Sequence, residues 1–265
     1  MNKNKLVLIG AGNIAYHLAP ALQKKGIEII QIYNRTLSSA KELGAILGVS
    51  HITDTIQNIT PDADIYLFCI KDDVLPELLK NFPTNDGLFI HTAGSLPMNV
   101  FEPYAKNFGV LYPLQTFSKQ RSVFFGNIPF FIEGNTPANT SQIETIAQLL
   151  SFQVNILSSE KRERLHLAAV FANNFSNHLF DIAAQMAKEQ GLDWRLLVPI
   201  IEETADKLRT LSPREAQTGP AVRYDEKIIQ KHLNLLKDKP EWQELYKLLS
   251  EEIHRNGEWR MENGE

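Results

Sequence analysis

The stretch Leu6-Val-Leu-Ile-Gly10-Ala-Gly12-Asn-Ile-Ala15 joins an apolar run to the start of an amphipathic segment. A glycine-rich turn between a buried strand and a helix is typical of dinucleotide-binding domains. Gly10 is expected to form the tight turn, Gly12 to let the backbone approach a pyrophosphate, and Ala15 to let the helix pack closely on the strand. The predicted cofactor-binding residues at this turn are Gly10, Ala11, Gly12, Asn13, Ile14 and Ala15.

The second apolar run, residues 28–33, is followed by Asn34, Arg35 and Thr36. A protein specific for NAD places an Asp or Glu near this point to bind the ribose 2′-hydroxyl. No acid is present here, and Arg35 can instead form charge-assisted hydrogen bonds with a 2′-phosphate. These three residues are therefore predicted to bind the cofactor, and NADP is favoured over NAD. The alternative is that Arg35 is an exposed cation at a strand end.

Short runs rich in β-branched residues alternate with helical segments over the first 157 residues. This alternation predicts an α/β domain with a mostly parallel, Rossmann-like sheet of about eight strands. The predicted strands are residues 5–9, 28–33, 65–70, 88–91, 109–112, 130–133 and 154–157. Crossover helices are predicted at residues 14–25, 39–47 and 140–150, and Ser39 and Glu42 have the spacing of a capping box.

From Ser159 onward the sequence shows only helical periodicity. We therefore predict an NADP-binding domain of residues 1–157 and an all-α domain of residues 158–265. Ser159 is the expected cap of a helix that runs without a break to Gly191, long enough to bridge two domains or two subunits. Further helices are expected to begin at Asp193, Ser212, Asp225 and Pro240.

The composition indicates which kinds of ligand and which cellular location to expect. A formal net charge of -4 argues against a nucleic-acid surface. The apolar run before Gly10 is too short for a signal peptide or a membrane span, so a cytoplasmic location is expected. The single cysteine, Cys69, lies in an apolar run and the histidines are scattered, so neither a disulfide framework nor a metal site is expected. A small-molecule ligand fits best.

Open α/β sheets bind ligands at the carboxyl ends of their strands. Ile70 and Lys71 follow one predicted strand at this edge and are expected to contact the cofactor through their backbone. The next residues, Asp72 and Asp73, are interpreted mainly as caps for a helix that begins near Val74.

His91, Ser95 and Gln115 follow the next two predicted strands at the same edge. His91 could relay a proton to a substrate carbonyl and could contact the cofactor, while Ser95 and Gln115 could orient polar groups of the substrate. The alternative is that His91 is a satisfied residue at the strand end and that Ser95 only caps a turn.

The long predicted helix carries His166, Asn173 and Asn177 among apolar residues. Their spacing places all three on one helical face. Burying such groups without partners costs about 1 to 3 kcal/mol each. They therefore either face a wet ligand cleft, with His166 and Asn173 as catalytic candidates and Asn177 in contact with substrate, or form a buried structural network.

A second candidate for substrate binding is the loop Thr218-Gly-Pro-Ala-Val-Arg223. Thr218 lies at its start, and Arg223 could clamp a carboxylate through two parallel hydrogen bonds. The alternative is that Arg223 pairs with Asp225, the expected cap of the next helix.

Five motifs together carry a resemblance to a known family. They are Gly10-Ala-Gly-Asn-Ile-Ala15, His91-Thr-Ala-Gly-Ser95, Tyr112-Pro-Leu-Gln-Thr116, His166 to Asn174, and Thr218-Gly-Pro-Ala-Val-Arg223. Over nearly the whole chain the sequence resembles the Rossmann-like family whose C-terminal part is domain of unknown function 2520, described as NADP oxidoreductases. This family is similar to pyrroline-5-carboxylate reductases, ketopantoate reductases and β-hydroxyacid dehydrogenases. The resemblance implies NADP as cofactor and a homodimer formed through a helical domain like that of 6-phosphogluconate dehydrogenase.

Two positions depart from the patterns of these relatives. β-Hydroxyacid dehydrogenases carry a catalytic Lys three residues before an Asn-Asn pair, but Val170 precedes Asn173 and Asn174 here. Their lysine mechanism is therefore not implied. The family loop often reads Arg-Gly-Asp, whereas Tyr224 replaces that glycine here, so a different local backbone is expected.

The expected function is that of an oxidoreductase that moves hydride between NADP and a small carbonyl or imine. His166 is the first candidate for the proton donor and His91 the second, while Asn173 orients the substrate and Arg223 binds an acidic end. Two alternatives stay open. Without the lysine, the protein could be a dinucleotide sensor that does not turn over; and because the N-terminal motif is shared with deazaflavin-dependent reductases, it could exchange hydride between NADP and a deazaflavin.

Overall fold

The computed structural model describes residues 4–263. The chain forms two compact units, one that ends at Phe180 and one that begins at Asp181. The division falls within a helix, Ser176–Glu189. The domain boundary expected between residues 157 and 158 stays a prediction about where independent folding units divide.

The first unit is built on an eight-stranded sheet with the order β3-β2-β1-β4-β5-β6-β7-β8. The strands are β1 Lys5–Ile9, β2 Glu28–Tyr33, β3 Ile52–Thr53, β4 Ile65–Phe68, β5 Leu88–His91, β6 Asn107–Pro113, β7 Phe130–Gly134 and β8 Val154–Ile156. Neighbouring strands are parallel except β6 and β7. The predicted Rossmann-like sheet is confirmed. The prediction missed β3, because two residues are too few to show a period.

Helices cover both faces of this sheet. They are α1 Asn13–Lys24, α2 Leu37–Leu47, α3 Leu75–Leu79, α4 Pro137–Gln148 and α5 Ser159–Ala169. Successive β1 residues alternate between two cores: Leu6 and Leu8 pack with residues of α1, α2 and α4, and Val7 and Ile9 pack with residues of α3. This two-sided burial explains why the parallel strands read as continuous apolar runs.

The strand order creates a crevice at the carboxyl ends of β1 and β4. β1 pairs with β2 on one side and with β4 on the other, so the chain connections leave these two strands in opposite directions. Such a topological switch point is where open α/β sheets bind their ligands. The glycine-rich turn after β1 lies at this point.

Two predicted helix caps are wrong. α2 begins at Leu37 with Thr36 as its cap residue, so Ser39 lies inside the helix and no capping box forms with Glu42. Glu42 instead pairs with Lys119 at 3.0 Å. α5 is preceded by Ser158 as its cap residue, and Ser159 uses its hydroxyl to bind Glu133 at 2.6 Å. In both places a contact distant in sequence replaces the local one.

The segment of residues 159–189, predicted as one α-helix, consists of three consecutive helical parts. α5 continues into a π-helical turn, Val170–Phe175, and then into α6, Ser176–Glu189. The predicted unbroken α-helix is therefore wrong between residues 170 and 175. A π turn inserts an extra residue per turn and shifts every side chain after it around the helix axis.

The second unit is helical. Beyond α6 it contains α7 Val198–Lys207, α8 Pro213–Ala216, α9 Glu226–Leu235 and α10 Pro240–Asn263. The expected starts are confirmed: the side chains of Asp193, Ser212 and Asp225 accept hydrogen bonds from backbone N–H groups two or three residues ahead, and α10 begins at Pro240. Among residues 4–263, no helix combines the length and the apolar character needed to cross a membrane.

Candidate active site

Gly10 forms the tight turn that ends β1. Its N–H donates to the Tyr33 carbonyl at 2.7 Å, and its φ of 104° lies in the region that only glycine adopts readily. A Cβ at this position would lie 2.4 Å from the Cys69 carbonyl oxygen and 2.8 Å from Ile70 Cγ2. The predicted need for glycine therefore has two causes, the backbone conformation and the close approach of the segment after β4.

Gly12 and Ala15 meet different requirements. Gly12 directly precedes α1 and is exposed, and a Cβ there would have no atom within 4 Å. No contact inside the described chain demands glycine, so the open space above the helix start is free for a ligand. Ala15 is fully buried where α1 packs on the sheet. The N–H groups of the first turn of α1 have no partner within the helix, so they are available to an anion at this open space.

The segment after β2 supports the glycine turn. Asn34 accepts a hydrogen bond from Ala11 N–H at 3.1 Å and donates to the Thr36 carbonyl at 2.9 Å. Its side chain thus ties the turn to the start of α2, a supporting role that the sequence did not predict. Arg35 and Thr36 are exposed, and Arg35 forms no ion pair with any residue described.

A cavity of about 660 Å³ opens beside the start of α1. Its lining comes from Asn13 and Ile14 of α1, from Tyr112 near the end of β6 and residues 114–117 after it, and from α5 and the π turn, including His166, Asn173 and Asn174. The structure therefore brings together the glycine turn, Gln115, His166 and Asn173, which the sequence had proposed separately. His166 is half-buried, and Asn173, Asn174 and Asn177 are exposed in this chain. The predicted contacts of His166 and Asn173 with a ligand stay predictions.

Tyr112 and His166 form a hydrogen-bonded pair at this cavity. The Tyr112 hydroxyl lies 3.0 Å from His166 Nδ1, and the two rings meet edge to face with centroids 5.9 Å apart. Gly94 lies against both rings, since a Cβ there would come within 2.6 Å of His166 Nδ1 and 2.8 Å of Tyr112 Cζ. The Tyr112 motif was noted in the sequence, but its pairing with a residue 54 positions away was not.

His91 lies in a different environment. It is 1% exposed, its ring packs against Phe101, and its Nδ1 accepts a hydrogen bond from Ala93 N–H. Burial, with the nearby charge of Arg162, lowers the pKa of His91 to about 3. The imidazole is therefore neutral at physiological pH. His91 is not among the residues that line the cavity, so its predicted contacts with cofactor and substrate stay predictions.

The loop after β4 has a role other than helix capping. α3 begins after Val74 and has no side-chain cap, so the interpretation of Asp72 or Asp73 as caps is wrong. Asp72 instead accepts a hydrogen bond from the Ser95 hydroxyl, joining the loops that follow β4 and β5. Ile70 packs against Gly10, and Lys71 is exposed. Contacts of these residues with cofactor or substrate stay predictions.

Arg162 attaches α5 to the sheet, and sequence reasoning missed it. This side chain is fully buried; it donates to Glu133 of β7 at 2.8 Å, to Ser159 at 3.2 Å and to the Leu96 carbonyl. Ser159 also accepts a hydrogen bond from Met98 N–H at 2.9 Å. The only available signal was an arginine one turn before His166 in an otherwise polar segment, which is not specific.

Comparison with known proteins identifies the family. Residues 5–93 match the family model described as NADP oxidoreductase, coenzyme F420-dependent, and residues 128–253 match domain of unknown function DUF2520. A solved structure from Bacteroides fragilis, described as a "putative NADP oxidoreductase", is 46% identical, covers 96% of this chain and 98% of its own, and has a TM-score of 0.91. The chain therefore belongs to the same family as the Bacteroides fragilis protein. The resemblance inferred from the five motifs is confirmed.

More distant structures share the fold of this oxidoreductase family. A Thermotoga maritima protein is 21% identical over 94% of this chain and 99% of its own, with a TM-score of 0.77. Pyrroline-5-carboxylate reductase from Streptococcus pyogenes is 14% identical over 96% of this chain and 100% of its own, with a TM-score of 0.62. Among curated proteins, glutamyl-tRNA reductase from Idiomarina loihiensis is 35% identical over 66 residues, and the match spans 24% of this chain and 16% of that enzyme.

The remaining sequence-predicted residues of this family member lie outside the cavity lining. Asn177 is exposed on α6 and follows the π turn, so the seven- and eleven-residue spacing no longer places it beside His166. Thr218 and Arg223 are exposed in the second unit. Asp225 caps α9, and Arg223 forms no ion pair with it. Substrate contact by Asn177, Thr218 and Arg223 stays a prediction.

Tyr224 has a left-handed backbone conformation that glycine adopts more readily than other residues. Its φ is 49°, in the left-handed region, although tyrosine stands where the family often has glycine. The Tyr224 ring stacks on His254 with centroids 4.3 Å apart, which offsets part of the strain. The expected difference from the family's local backbone stays a prediction.

Proposed function

We propose that this protein is an NADP-dependent oxidoreductase that moves hydride between NADP and a small carbonyl or imine, with His166 as the proton donor. The observation that carries the proposal is the single cavity that joins the start of α1 to His166. Asn13 and Ile14 of its lining belong to the glycine-rich motif typical of dinucleotide-binding domains. Another part of the lining contains the His166 imidazole and the Asn173 and Asn174 amides. Hydride transfer to a carbonyl or imine needs such a combination, because the oxygen or nitrogen must gain a proton as the carbon gains hydride.

The cofactor site fits NADP. Gly12 leaves open space at the helix start, where a pyrophosphate would accept hydrogen bonds from backbone N–H groups. Arg35 and Thr36 are exposed at the end of β2, where Arg35 would bind the 2′-phosphate. The name of the Bacteroides fragilis relative also supports NADP. When bound, NADPH supplies the hydride; the residues of this chain orient the substrate and move the proton.

His166 suits the proton-donor role better than His91. His166 lines the cavity and is half-buried, so its ring can reach a substrate there. His91 is buried away from the cavity lining, and its low pKa keeps it neutral. We therefore assign proton donation to His166 and a structural role to His91.

The substrate would contact polar groups on two parts of the cavity. Gln115 lies after β6, and Asn173 and Asn174 lie on the π turn. Asn174 is a further amide that lines the cavity beside Asn173. Amides can donate to a carbonyl oxygen and accept from an N–H or O–H, so this lining favours a small polar substrate over an apolar one.

The test is oxidation of NADPH in the presence of a panel of 2-oxo acids, aldehydes and cyclic imines. We expect His166→Gln to lower kcat by about 100-fold, with the Kd for NADPH within about twofold. His178→Gln is the matched control, because His178 is exposed on α6 and does not line the cavity. Arg35→Ala should raise the KM for NADPH by about tenfold or more and change that for NADH little.

Three outcomes would change the proposal. Equal turnover of His166→Gln and the wild type would remove His166 as the donor. Equal effects of Arg35→Ala on NADPH and NADH would remove the 2′-phosphate assignment. Tight NADPH binding with no turnover on any substrate would favour the dinucleotide sensor instead.

A deazaflavin reductase is the second candidate, favoured by the match of residues 5–93 to a coenzyme F420-dependent family. In that case the hydride would pass between NADP and the deazaflavin. An oxidised deazaflavin added to the same panel separates the two functions. Reduction of the deazaflavin without reduction of any carbonyl or imine would replace the first proposal.

The exposed apolar side chains support assembly as a homodimer. Phe171 and Phe175 contact each other on the π turn and are 62% and 50% exposed. In the second unit, Leu196, Ile200 and Leu235 are each more than 60% exposed. Apolar surface of this extent commonly marks an interface. A mass of twice 30.0 kDa by light scattering is expected, and a mass of one chain would contradict the dimer.

A further inference from the structure

Tyr112 is a buried polar side chain that contacts the candidate proton donor, His166. It lies at the end of β6 and is 7% exposed, whereas His166 is half-buried and lines the cavity. The hydroxyl approaches Nδ1 and not Nε2 of His166. Nε2 forms no hydrogen bond with any described residue and is the ring nitrogen left for a substrate.

The direction of the hydrogen bond between Tyr112 and His166 depends on the tautomer of His166, provided that the phenol keeps its proton. Burial raises the pKa of Tyr112; the Arg162 guanidinium opposes this rise and the Asp72 carboxylate adds to it. The phenol is therefore neutral at physiological pH and carries a proton to donate. A neutral imidazole that accepts this proton at Nδ1 must carry its own proton at Nε2.

We propose that Tyr112 is a positioning residue that holds neutral His166 in the Nε2–H tautomer and supplies a proton to Nδ1 as Nε2 releases its own. This inference rests on the proposed function. The Nε2–H bond breaks and a bond from that proton to the substrate oxygen or nitrogen forms. In the same step the phenol proton moves to Nδ1. His166 stays neutral, and the negative charge of the reduced substrate passes to the phenolate of Tyr112.

The surroundings of Tyr112 fit this transfer. The phenolate would form close to Arg162, whose positive charge offsets part of the cost that burial imposes on the charged form. A proton from the solvent then binds Nε2 as the Nδ1 proton returns to the phenolate, which restores the starting tautomer of His166 and the neutral phenol. Without Tyr112 the same donation from neutral His166 would leave an imidazolate, a far stronger base. The pair therefore explains how an imidazole could serve as donor where related dehydrogenases keep a lysine.

Gly94 gives an independent way to disturb the pair. A Cβ at Gly94 would meet the His166 and Tyr112 rings, which are ends of side chains that can shift. Gly94→Ala should therefore fold but move the rings apart. Gly94 is thus expected to affect His166 through geometry, while Tyr112→Phe removes only the hydroxyl.

The first test is spectroscopic and needs no substrate. Protein labelled with ¹⁵N-histidine is observed by long-range ¹⁵N–¹H correlation at a pH where histidine is neutral, with His166 assigned from His166→Gln. We expect His166 to be almost entirely the Nε2–H tautomer in the wild type, and to become a mixture of tautomers in Tyr112→Phe and Gly94→Ala. Tyr66→Phe is the matched control: its hydroxyl is also tied down, but by the Thr60 carbonyl. Wild-type His166 in the Nδ1–H tautomer, or a tautomer unchanged in Tyr112→Phe, would overturn the proposal.

The second test is kinetic and separates this inference from the proposed function. With a substrate from the panel, Tyr112→Phe should lower kcat by about tenfold to 100-fold with KM within about threefold. It should also alter the dependence of kcat on pH. The charged and titratable groups that act on this pair are Asp72 and Arg162, in addition to Tyr112 and His166 themselves. Turnover that needs His166 but not Tyr112 would overturn the inference alone. The expected tautomers without any turnover would overturn the proposed function alone.

Discussion

The cavity has two sides that are held by different kinds of interaction: the glycine turn with the start of α1, and the helical side formed by α5 and the π turn. The glycine-turn side is fixed by backbone: Gly10 packs against the Cys69 carbonyl, and Asn34 ties the turn to the next helix. The helical side is exposed over most of its length, and Arg162 is the one buried residue of α5 and the π turn. The glycine turn is therefore held by backbone contacts and the Asn34 side chain, whereas α5 is attached to the sheet through the buried side chain of Arg162.

Removal of Arg162 tests the helical side and should have the largest effect. Arg162→Met leaves the Glu133 carboxylate, which is 17% exposed, without its cation. Breaking a buried ion pair in this way costs about 3 to 5 kcal/mol of the free energy of unfolding. Urea denaturation measures the loss.

The control for Arg162 is another arginine of the same helix. Arg164 pairs with Glu160 at 3.2 Å, with both side chains more than three-quarters exposed. Arg164→Met should change the free energy of unfolding by less than about 0.5 kcal/mol. Similar losses for the two variants would show that burial does not distinguish the pairs and would contradict the anchoring role of Arg162.

Alanine at Gly10 and at Gly12 tests the glycine-turn side. Gly10→Ala forces a Cβ into the Cys69 carbonyl at a positive φ and should lower the free energy of unfolding by about 3 kcal/mol. Gly12→Ala meets no atom and should change it by less than about 0.5 kcal/mol. It should still weaken NADPH binding by about tenfold or more, because the methyl group occupies the space of the pyrophosphate. Thermal unfolding and fluorescence titration with NADPH measure the two effects.

These two glycine variants separate a structural glycine from a ligand-binding glycine. If Gly12→Ala binds NADPH as well as the wild type, the open space beside α1 is not the pyrophosphate site. If Gly10→Ala is as stable as the wild type, neither the positive φ of Gly10 nor its close approach to the Cys69 carbonyl requires glycine.

The pH dependence of stability sharpens the distinction between His91 and His166. The pKa of His91 is lowered to about 3 in the folded protein, against an ordinary value of about 6.5. In the window between these values the unfolded chain binds a proton that the folded chain does not. Stability is therefore fully present above about pH 6.5 and falls as the pH falls through this window.

His91→Asn isolates this contribution, because asparagine can accept the Ala93 N–H bond but does not titrate. Between pH 7 and pH 5 the wild type should lose about 2 kcal/mol more of its free energy of unfolding than His91→Asn. Urea denaturation at the two pH values measures the difference. Equal losses would mean that His91 is protonated in the folded state and is more accessible than its burial indicates.

The sequence by itself determined the features whose causes are local. Gly10 has a positive φ, Gly12 directly precedes α1 and Ala15 is buried where α1 packs, so the motif is visible within six residues, although Gly10 also packs against the distant Cys69 carbonyl. The long strands appear as continuous apolar runs because both sheet faces are covered. Caps such as Ser212 and Asp225 satisfy N–H groups three residues away. Such constraints are visible in a short window of residues.

Only the tertiary structure decided the features that join distant residues. Tyr112 meets His166 across 54 positions, Arg162 meets Glu133 across 29, and Ser95 meets Asp72 across 23. The π turn, which contains Asn173 and Asn174, has no marker in the local sequence. Hydrogen bonds and ion pairs depend on the distance between groups in space, and that distance exists only after the sheet has brought β5, β6 and β7 together with α5.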